Sequence, residues 1–432
     1  MAEAGSARLL EGHEADVALP PASVVKAVTA LYALDTLGPA HRFGTWVTAT
    51  GPVVEGRVEG DLILLGGGDP TLDTDALGDL AAALHARGVR RVAGRFLVQG
   101  GALPSFGRID ADQPDHVGYN PPISGLNLNF NRVHFRWDRS GGGHRAIMDA
   151  PGQRHNAAVS MARMQIVARN LPVYTYQGGD GVDHWTVAQS ALGNSGSRWL
   201  PVRHPELYAG DVFRGLAAAR GIELPAATRA PASTPRGTVL AEHASPPLAE
   251  IAAGMMRWST NLTAEVLGLA AAQARGLRPA SLAESATAMA RWTAGAFGVG
   301  AFTLVDHSGL GDRSRMAPAQ MARLLADARV EARLRGIMRD IPMRDGRGNP
   351  MPNHPVEVAA KTGTLNFVSG LAGYVRKPSG PDLVFAVFAA DLATRARIPP
   401  DQRERPAGAR DWSGRARRLQ QQLIERWATV YA

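Results

Sequence analysis

The sequence predicts a mixed α/β (α+β) protein in which a second domain interrupts the first. Near the N-terminus, residues 20–38 carry apolar side chains at helical spacing. A strand–helix–strand pattern follows over residues 61–98, which is typical of a separate α/β domain. The second half returns to helical patterns over residues 246–297 and then to short apolar strands from residue 356 onward. We therefore expect one discontinuous domain built from both ends of the chain and an inserted domain between them.

Composition excludes several kinds of site. Hydrophobic residues make up 45% of the 432 residues, enough for a substantial core, and the absence of cysteine excludes disulfides, iron–sulfur ligation and a thiol nucleophile. The 12 histidines show no paired metal-ligand spacing, and no glycine-rich stretch ends in Gly-Lys-Ser/Thr as a phosphate loop does. We expect no metal ion and no other cofactor.

The net charge of +8 allows anionic partners such as nucleic acid, a lipid surface or an anionic cell wall. No basic stripe interleaved with aromatic residues supports nucleic-acid binding, and no apolar run approaches the ~18 residues of a membrane helix. We therefore expect no nucleic acid and at most peripheral membrane contact. The first residues lack the basic and apolar segments of a signal peptide, so the protein is either cytoplasmic or numbered from beyond a removed export signal.

The first candidate site lies at the start of the helix pattern in residues 20–38. Two prolines precede Ser23, apolar residues recur through Leu34, and Gly38 ends the pattern. On a helix Ser23 and Lys26 lie on one face, so an amine can reach a hydroxyl near a helix N-terminus, where backbone N–H groups favour negative charge. This arrangement suits a serine nucleophile with a lysine base, although an N-capping serine and a solvated lysine explain the same stretch.

Lysine usage favours the catalytic interpretation. The chain has 47 lysine and arginine residues, of which only Lys26, Lys361 and Lys377 are lysines. Arginine stays protonated in proteins, whereas burial can lower the pKa of a lysine amine enough for it to act as a base. Lys377 lies in a predicted turn, but the other two stand inside short motifs.

The residues between the first helix and position 243 supply the inserted domain, which we place at residues 49–242, with residues 1–48 and 243–432 forming the other domain. A predicted strand at 43–51 crosses the first boundary. The other elements predicted for this domain are a strand at 61–65, a helix at 74–88, a strand at 89–98, a possible strand at 159–173 and a helix at 207–221. Residues 138–200 are otherwise polar, glycine-rich and without a clear pattern.

The second half predicts helices over residues 246–275 and 280–297, three strands and a last helix. The strands are 356–360, 370–375 and 383–389. Four apolar residues form one stripe on the last helix, namely Leu419, Leu423, Trp427 and Val430.

Two further motifs stand in this half of the chain. Ser259-Thr260-Asn261 lies inside a helical stretch, and Lys361-Thr362-Gly363-Thr364 follows a predicted strand. Alone, the first is explained as a helix break and the second as an edge strand with a turn. Each of the patterns Ser-x-x-Lys, Ser-x-Asn and Lys-Thr-Gly occurs once in the chain, and they come in this order. The combination is far more specific than any one of them.

The three motifs resemble those of the serine penicillin-binding proteins and β-lactamases, where they line one cleft. The chain is most similar to the class C low-molecular-mass penicillin-binding proteins, the D-alanyl-D-alanine carboxypeptidase/endopeptidase family. The long separation of the first two motifs, the stretch from Leu65 to Leu72 and the sequence Asp306-His307-Ser308-Gly309-Leu310 carry this resemblance, with His307 where the family has glycine. It implies a penicillin-binding-protein/serine β-lactamase-like transpeptidase fold, an antiparallel sheet flanked by helices, with an inserted mixed α/β domain.

The resemblance also implies a role for each motif residue. Ser23 is the acylated nucleophile and Lys26 its general base, while Ser259 passes the proton to the leaving amine. The remaining roles concern binding and charge: Asn261 holds Lys26 and the substrate amide, Lys361 supplies positive charge, Thr362 binds the terminal carboxylate, Gly363 lets the strand approach the substrate, and the backbone N–H groups of Ser23 and Thr364 form the oxyanion hole.

Leu365 and Asp115 complete the implied substrate site. Leu365 follows the third motif and is expected to line the same pocket. Members of the family bind the amino group of a diaminopimelate-type stem peptide with an aspartate of the inserted domain, and Asp115 is the nearest candidate. An ordinary loop carboxylate explains Asp115 as well.

The sequence thus predicts a periplasmic serine D-alanyl-D-alanine carboxypeptidase/endopeptidase. It would cleave D,D-peptide bonds of peptidoglycan stem peptides through an acyl-enzyme on Ser23 and bind β-lactam antibiotics covalently. The alternatives are an esterase or β-lactamase of the same fold and a non-catalytic cell-wall binding protein. Against a class A β-lactamase, no glutamate stands with an asparagine in the usual deacylating pattern. A non-catalytic protein would be expected to have lost at least one motif residue, and here all of them are present.

Overall fold

The computed structural model describes residues 1–231, 233–345, 347–377 and 382–431. The chain divides into two compact units, one formed by Met1–Ala40 with Leu248–Ala432 and the other by His41–Pro247. The boundaries predicted from the sequence fall after residue 48 and after residue 242, whereas these units meet after residue 40 and after residue 247. We refer to the first as the terminal unit and to the second as the inserted unit.

The helices occupy both units. They are α1 Lys26–Leu37, α2 Thr74–Ala86, α3 Pro205–Ala218, α4 Leu248–Trp258, α5 Asn261–Ala274, α6 Leu282–Phe297, α7 Pro318–Ala326, α8 Ala328–Leu334, α9 Leu392–Ala396 and α10 Ala409–Val430. In the described part of the chain, no helix combines the length and the apolar character that crossing a membrane requires.

The strands are short in most places. They are β1 Ala2–Glu3, β2 Gly44–Ala49, β3 Val53–Val54, β4 Arg57–Val58, β5 Leu62–Gly66, β6 Arg91–Val92, β7 Phe96–Gln99, β8 Arg132–Ser140, β9 Gly143–Pro151, β10 Asn156–Ala158, β11 Ala162–Val167, β12 Tyr174–Gly179, β13 Val182–Ala188, β14 Ser195–Pro201, β15 Ala227–Arg229, β16 Thr238–Ala244, β17 Arg339–Asp340, β18 Glu357–Leu365, β19 Val368–Arg376 and β20 Leu383–Ala390.

The terminal unit is built on a five-stranded sheet in the order β1-β20-β19-β18-β17, and every pair in it is antiparallel. One face packs against α10, where Leu371 and Phe385 of the sheet form a core with Ile424 and Trp427. The turn before α1 packs against β18 and β19. An antiparallel sheet flanked by helices is therefore present, as the sequence predicts.

Helix α1 lies in the interior of the terminal unit. Its residues from Lys26 to Leu34 are all buried, and Gly38 ends the helix with a positive φ of 85° that glycine adopts at little cost. The helix packs against α4, α5 and α6. A helix buried on every side holds the residues at its first turn in fixed positions.

The apolar face of α10 differs from the predicted stripe. Leu419 is 50% exposed and Val430 is 56% exposed, so both face solvent. The buried face instead runs through Ser413, Ala416, Gln420, Ile424 and Trp427. Three of these five residues are small or polar, so the apolar pattern correctly identified Trp427 and the partly buried Leu423 but also included two exposed residues.

The described residues of the inserted unit form four sheets around one large core. The principal sheet has the order β15-β7-β5-β2-β16, with β15, β7 and β5 parallel and the other pairs antiparallel. Helices α2 and α3 pack against each other, and α3 covers β7 and β15. Parallel and antiparallel pairs in one sheet with helices make this a mixed α/β unit.

Candidate active site

Ser23 lies in a 3-10 turn, Ala22–Val25, that leads directly into α1. No side chain caps either the turn or the helix, so Ser23 is not an N-cap. The turn lies so close to the sheet that a Cβ added to Gly363 would meet the Pro21 carbonyl oxygen at 2.8 Å and the Ser23 nitrogen at 2.9 Å. Only glycine permits this approach of β18 to the turn.

Lys26 is fully buried, and its amine reaches three acceptors. The Nζ atom lies 2.9 Å from Ser23 Oγ, 2.8 Å from Asn261 Oδ1 and 2.6 Å from the Ser308 carbonyl oxygen. Burial and the positive charge of Lys361 together lower the pKa of Lys26 to about 7, against the opposing effect of Asp306 and Glu265. Near neutral pH a large fraction of this amine is therefore unprotonated and able to accept a proton.

Ser259 occupies the break between α4 and α5, where its φ of 58° lies in the left-handed region. Its backbone N–H donates to the Met255 carbonyl, and its hydroxyl accepts a hydrogen bond of 3.0 Å from Lys361 Nζ. Lys361 also donates to the Thr362 carbonyl at 2.8 Å, and burial lowers its pKa to about 8. A second hydroxyl–amine pair thus stands beside the first.

The third motif is part of β18 rather than a turn after a strand. Thr362 and Thr364 have exposed side chains, Lys361 and Gly363 are buried, and Leu365 is half-buried. Strand β17 pairs only with Ala359 and Ala360, so among the described residues the edge of β18 over 361–365 has no strand partner on that side. An extended peptide could pair with this edge.

The structure thus brings Ser23, Lys26 and Asn261 together through direct hydrogen bonds, and Lys361 to Ser259 in the same way. Asp115 lies in the inserted unit. Its carboxylate forms an ion pair with Arg108 at 3.2 Å, and its backbone carbonyl accepts a hydrogen bond from Arg203 at 2.6 Å. Within the described residues, no group of three or more histidine and acidic side chains is placed to hold a metal ion.

His307 explains how the chain accommodates its departure from the family pattern. The ring is fully buried between α5 and α6, where Nε2 lies 2.9 Å from Ser285 Oγ. A Cβ on Gly268 would meet the ring at 2.1 Å, so glycine makes room for it. Burial lowers the pKa of His307 to about 3, so the ring is neutral and acts in packing.

Sequence reasoning missed three residues beside Lys26, which are Thr29, Glu265 and the backbone carbonyl of Ser308. They are linked through the His307–Ser308 backbone, because Thr29 Oγ1 donates to the His307 carbonyl and Glu265 accepts the N–H groups of His307 and Ser308. The Asp306–Leu310 stretch was noted only as a resemblance, and nothing in its spacing links it to Glu265. Helix spacing was the one available signal, since Glu265 follows Asn261 by one turn of α5.

Comparison with known proteins decides the family. The model of the D-Ala-D-Ala carboxypeptidase 3 (S13) family matches residues 1–407. The chain belongs to this family. Its activity class is therefore that of a serine-type D-Ala-D-Ala carboxypeptidase, and the family and activity predicted from the sequence are confirmed.

Two relatives that the chain resembles are D-alanyl-D-alanine carboxypeptidases. The chain is 28% identical over 410 residues to a D-alanyl-D-alanine carboxypeptidase of Actinomadura sp. (strain R39), covering 85% of this chain and 73% of the relative. It is 26% identical over 405 residues to the D-alanyl-D-alanine carboxypeptidase DacB of Haemophilus influenzae, covering 88% and 83%.

Solved structures confirm the predicted fold class. Penicillin binding protein 4 (dacB) from Haemophilus influenzae superimposes with a TM-score of 0.72 at 22% identity, covering 95% of this chain and 93% of that one. A predatory peptidoglycan endopeptidase from Bdellovibrio bacteriovorus superimposes with a TM-score of 0.54 at 14% identity, covering 99% and 91%. At these identities the likeness concerns the fold.

Proposed function

We propose that this S13 enzyme cleaves D,D-peptide bonds of peptidoglycan stem peptides through an acyl-enzyme on Ser23, with Lys26 as the general base. The observation that carries the proposal is the buried Lys26 amine, 2.9 Å from Ser23 Oγ and with a pKa lowered to about 7. A base with a pKa near the working pH combines a sizeable neutral fraction with enough basicity to take a proton from the hydroxyl.

Acylation then proceeds in two steps. Neutral Lys26 takes the Ser23 hydroxyl proton as Oγ attacks the carbonyl carbon of the penultimate D-alanine, and the negative charge on the carbonyl oxygen is stabilised by the backbone N–H groups of Ser23 and Thr364. As the intermediate collapses, the peptide C–N bond breaks and the Lys26 ammonium gives up its proton to the leaving amine through the Ser259 hydroxyl, which Lys361 holds at 3.0 Å. Water later attacks the ester and regenerates Ser23.

Substrate binding is assigned to the unpaired edge of β18. An extended stem peptide would pair with the backbone over 361–365, while the exposed Thr362 hydroxyl and the Lys361 ammonium would bind the terminal carboxylate. Leu365 would line the apolar side of this site. Asp115 would bind the ammonium of the stem-peptide side chain, and to do so it would have to share its carboxylate with Arg108.

β-Lactams would acylate the same serine, because their strained amide presents a carbonyl to Ser23 as the D,D-peptide bond does. Support comes from the Bdellovibrio endopeptidase, of which a penicillin G-acylated structure is known. The relatives are carboxypeptidases and endopeptidases of the cell wall, which lies outside the cytoplasm. We place this protein in the periplasm.

The peptidase activity is tested with a stem pentapeptide ending in D-Ala-D-Ala. The enzyme should release D-alanine, and Ser23→Ala should release none above background, with circular dichroism verifying that the variant folds. Ser23→Ala with undiminished D-alanine release would reject Ser23 as the nucleophile. A wild-type enzyme that hydrolyses simple esters but not this peptide would favour the esterase alternative.

A further inference from the structure

Helix α5 carries two polar residues one turn apart on the side that faces Lys26. Asn261 touches the amine directly, through its Oδ1 atom at 2.8 Å. Glu265 is fully buried, and its two carboxylate oxygens accept the backbone N–H groups of His307 at 3.0 Å and Ser308 at 2.9 Å. None of the roles described so far uses this buried carboxylate.

The peptide that Glu265 holds is fixed from a second side. Thr29, one turn after Lys26 on α1, donates its hydroxyl to the His307 carbonyl at 2.6 Å. With the His307 carbonyl and both N–H groups engaged, the next carbonyl, that of Ser308, points at Lys26 Nζ from 2.6 Å. The direction of this carbonyl therefore depends on Glu265 and Thr29.

That direction matters because of the geometry of a neutral amine. Unprotonated Lys26 has two N–H bonds and one lone pair, and it has three neighbours: Asn261 Oδ1, the Ser308 carbonyl and Ser23 Oγ. The first two are acceptors only, so they take the two N–H bonds and leave the lone pair directed at the Ser23 hydroxyl. A displaced Ser308 carbonyl would release one N–H and allow the lone pair to turn away.

We propose that Glu265 is a positioning residue for Lys26, acting through the His307–Ser308 backbone to aim the lone pair of the lysine at Ser23. This inference rests on the proposed function, in which Lys26 is the base. It differs from a purely structural role, which would stabilise the fold without any effect on the proton transfer.

The charges around these groups are few. Lys26 faces Lys361, Asp306 and Glu265, and the ring of His307 is neutral. Burial and the negative charge of Asp306 raise the pKa of Glu265, whereas the backbone N–H groups of His307 and Ser308 and the charge of Lys26 favour its carboxylate form. Asp306 itself accepts the backbone N–H groups of Gly309 and Gly311, each at 2.6 Å, and so orders the following turn of the same loop.

The test uses Glu265→Gln and Thr29→Val in the full chain. Glutamine keeps one acceptor oxygen but places an NH2 group against the other backbone N–H, and valine removes the Thr29 hydroxyl at nearly constant volume. The measured quantity is the second-order rate constant for acylation of Ser23 by benzylpenicillin, per molecule of active enzyme, from about pH 5 to about pH 9. In the wild type this rate should rise with pH through the Lys26 pKa of about 7, because only the neutral amine accepts the proton.

Both variants should lower the plateau rate, Glu265→Gln by ~10- to 10²-fold, since small displacements of a catalytic group have effects of this size. The midpoint of the acid limb should also move to lower pH. The Ser308 carbonyl stabilises the ammonium form of Lys26, so weakening this contact favours the neutral form. In Thr29→Val no charge changes, which isolates the contribution of the backbone.

The matched control is Asp75→Asn. Asp75 is a buried carboxylate of the inserted unit that likewise accepts backbone N–H groups, from Gln153 at 2.8 Å and His155 at 2.9 Å. The Asp75→Asn variant should be less stable than the wild type, with the same plateau rate of acylation and the same midpoint of the pH profile. The inference is overturned if Glu265→Gln has a wild-type acylation rate, or if its rate falls while the midpoint of the pH profile stays in place. If Glu265→Gln does not fold, Thr29→Val decides by the same two criteria. Failure of the wild type to be labelled at Ser23 would instead reject the proposed function.

Discussion

At the scale of single residues, all three lysines are buried, at 0% exposure for Lys26, 2% for Lys361 and 7% for Lys377. Two of them hold serine hydroxyls, whereas Lys377 donates to the backbone carbonyl of Tyr431. The sequence places Lys377 in a turn and does not reveal that it is buried, because its burial depends on a contact with the distant end of α10. The following residues of that predicted turn, 378–380, lie outside the described residues. Scarcity of lysine therefore marks interior positions here, and only geometry separates the two beside serines.

Lys26→Arg should reduce acylation of Ser23 by ~10²–10⁴-fold, the usual contribution of a general base. The guanidinium keeps the positive charge but cannot lose its proton at any usable pH, so it cannot accept the Ser23 proton. The rate of benzylpenicillin acylation measures the effect, and circular dichroism verifies folding.

Two matched substitutions serve as controls for Lys26→Arg. Lys361→Arg should lose less activity, because charge beside Ser259 survives the change. Lys377→Arg should leave the acylation rate unchanged while testing the cost of an arginine at a buried site. Near wild-type acylation by Lys26→Arg would mean that lysine is not the base.

At the scale of secondary-structure elements, strong periodicity was a reliable guide and weak periodicity was not. Helix α2 and strand β5 lie within one or two residues of their predicted bounds. Residues 138–200, for which the sequence indicated one possible strand, hold β9 to β13 and most of β14. Strand β12 shows why, since its residues are half-buried or exposed throughout and leave no alternation of apolar and polar side chains.

The contact between β18 and the Ser23 turn yields a prediction for Gly363→Ala. The added Cβ would meet the Pro21 carbonyl oxygen at 2.8 Å and two backbone nitrogens at about the same distance, so the strand must move away from the turn. Acylation of Ser23 should fall by ~10- to 10²-fold through misplacement of the oxyanion hole.

The control is Gly295→Ala in α6, where an added Cβ meets nothing within 4 Å and alanine favours the helix. It should leave acylation intact and stability equal or higher. A wild-type acylation rate in Gly363→Ala would show that the close approach of β18 is dispensable.

At the scale of the whole molecule, the residues proposed for acyl transfer and the aspartate proposed to bind the side-chain ammonium of the substrate belong to different units. The terminal unit holds both serine–lysine pairs, and the inserted unit holds Asp115. The motifs were predictable because each is a short stretch with its own spacing. The contribution of Glu265 and Thr29 was not predictable, because both act on Lys26 through the backbone of the loop at His307 and Ser308. This loop lies about 40 residues from Glu265 and about 280 residues from Thr29 in the sequence.

Asp115→Ala should slow cleavage of stem peptides that carry a free side-chain amine more than it slows acylation by benzylpenicillin, which has no such ammonium. Asp112→Ala, a change of another carboxylate in the same loop, is the matched control and should affect neither reaction. Paired rate measurements on the two substrates test this directly. Equal losses on both substrates would assign Asp115 to the structure of the loop.

The most direct test of the central claim is mass spectrometry of the intact protein after incubation with benzylpenicillin, followed by peptide mapping. The account predicts a mass increase of one benzylpenicillin, a long-lived adduct, and label on the peptide that contains Ser23. No adduct, or label on another residue, would contradict the assignment of Ser23. Rapid loss of the adduct with turnover of the drug would support the β-lactamase alternative instead.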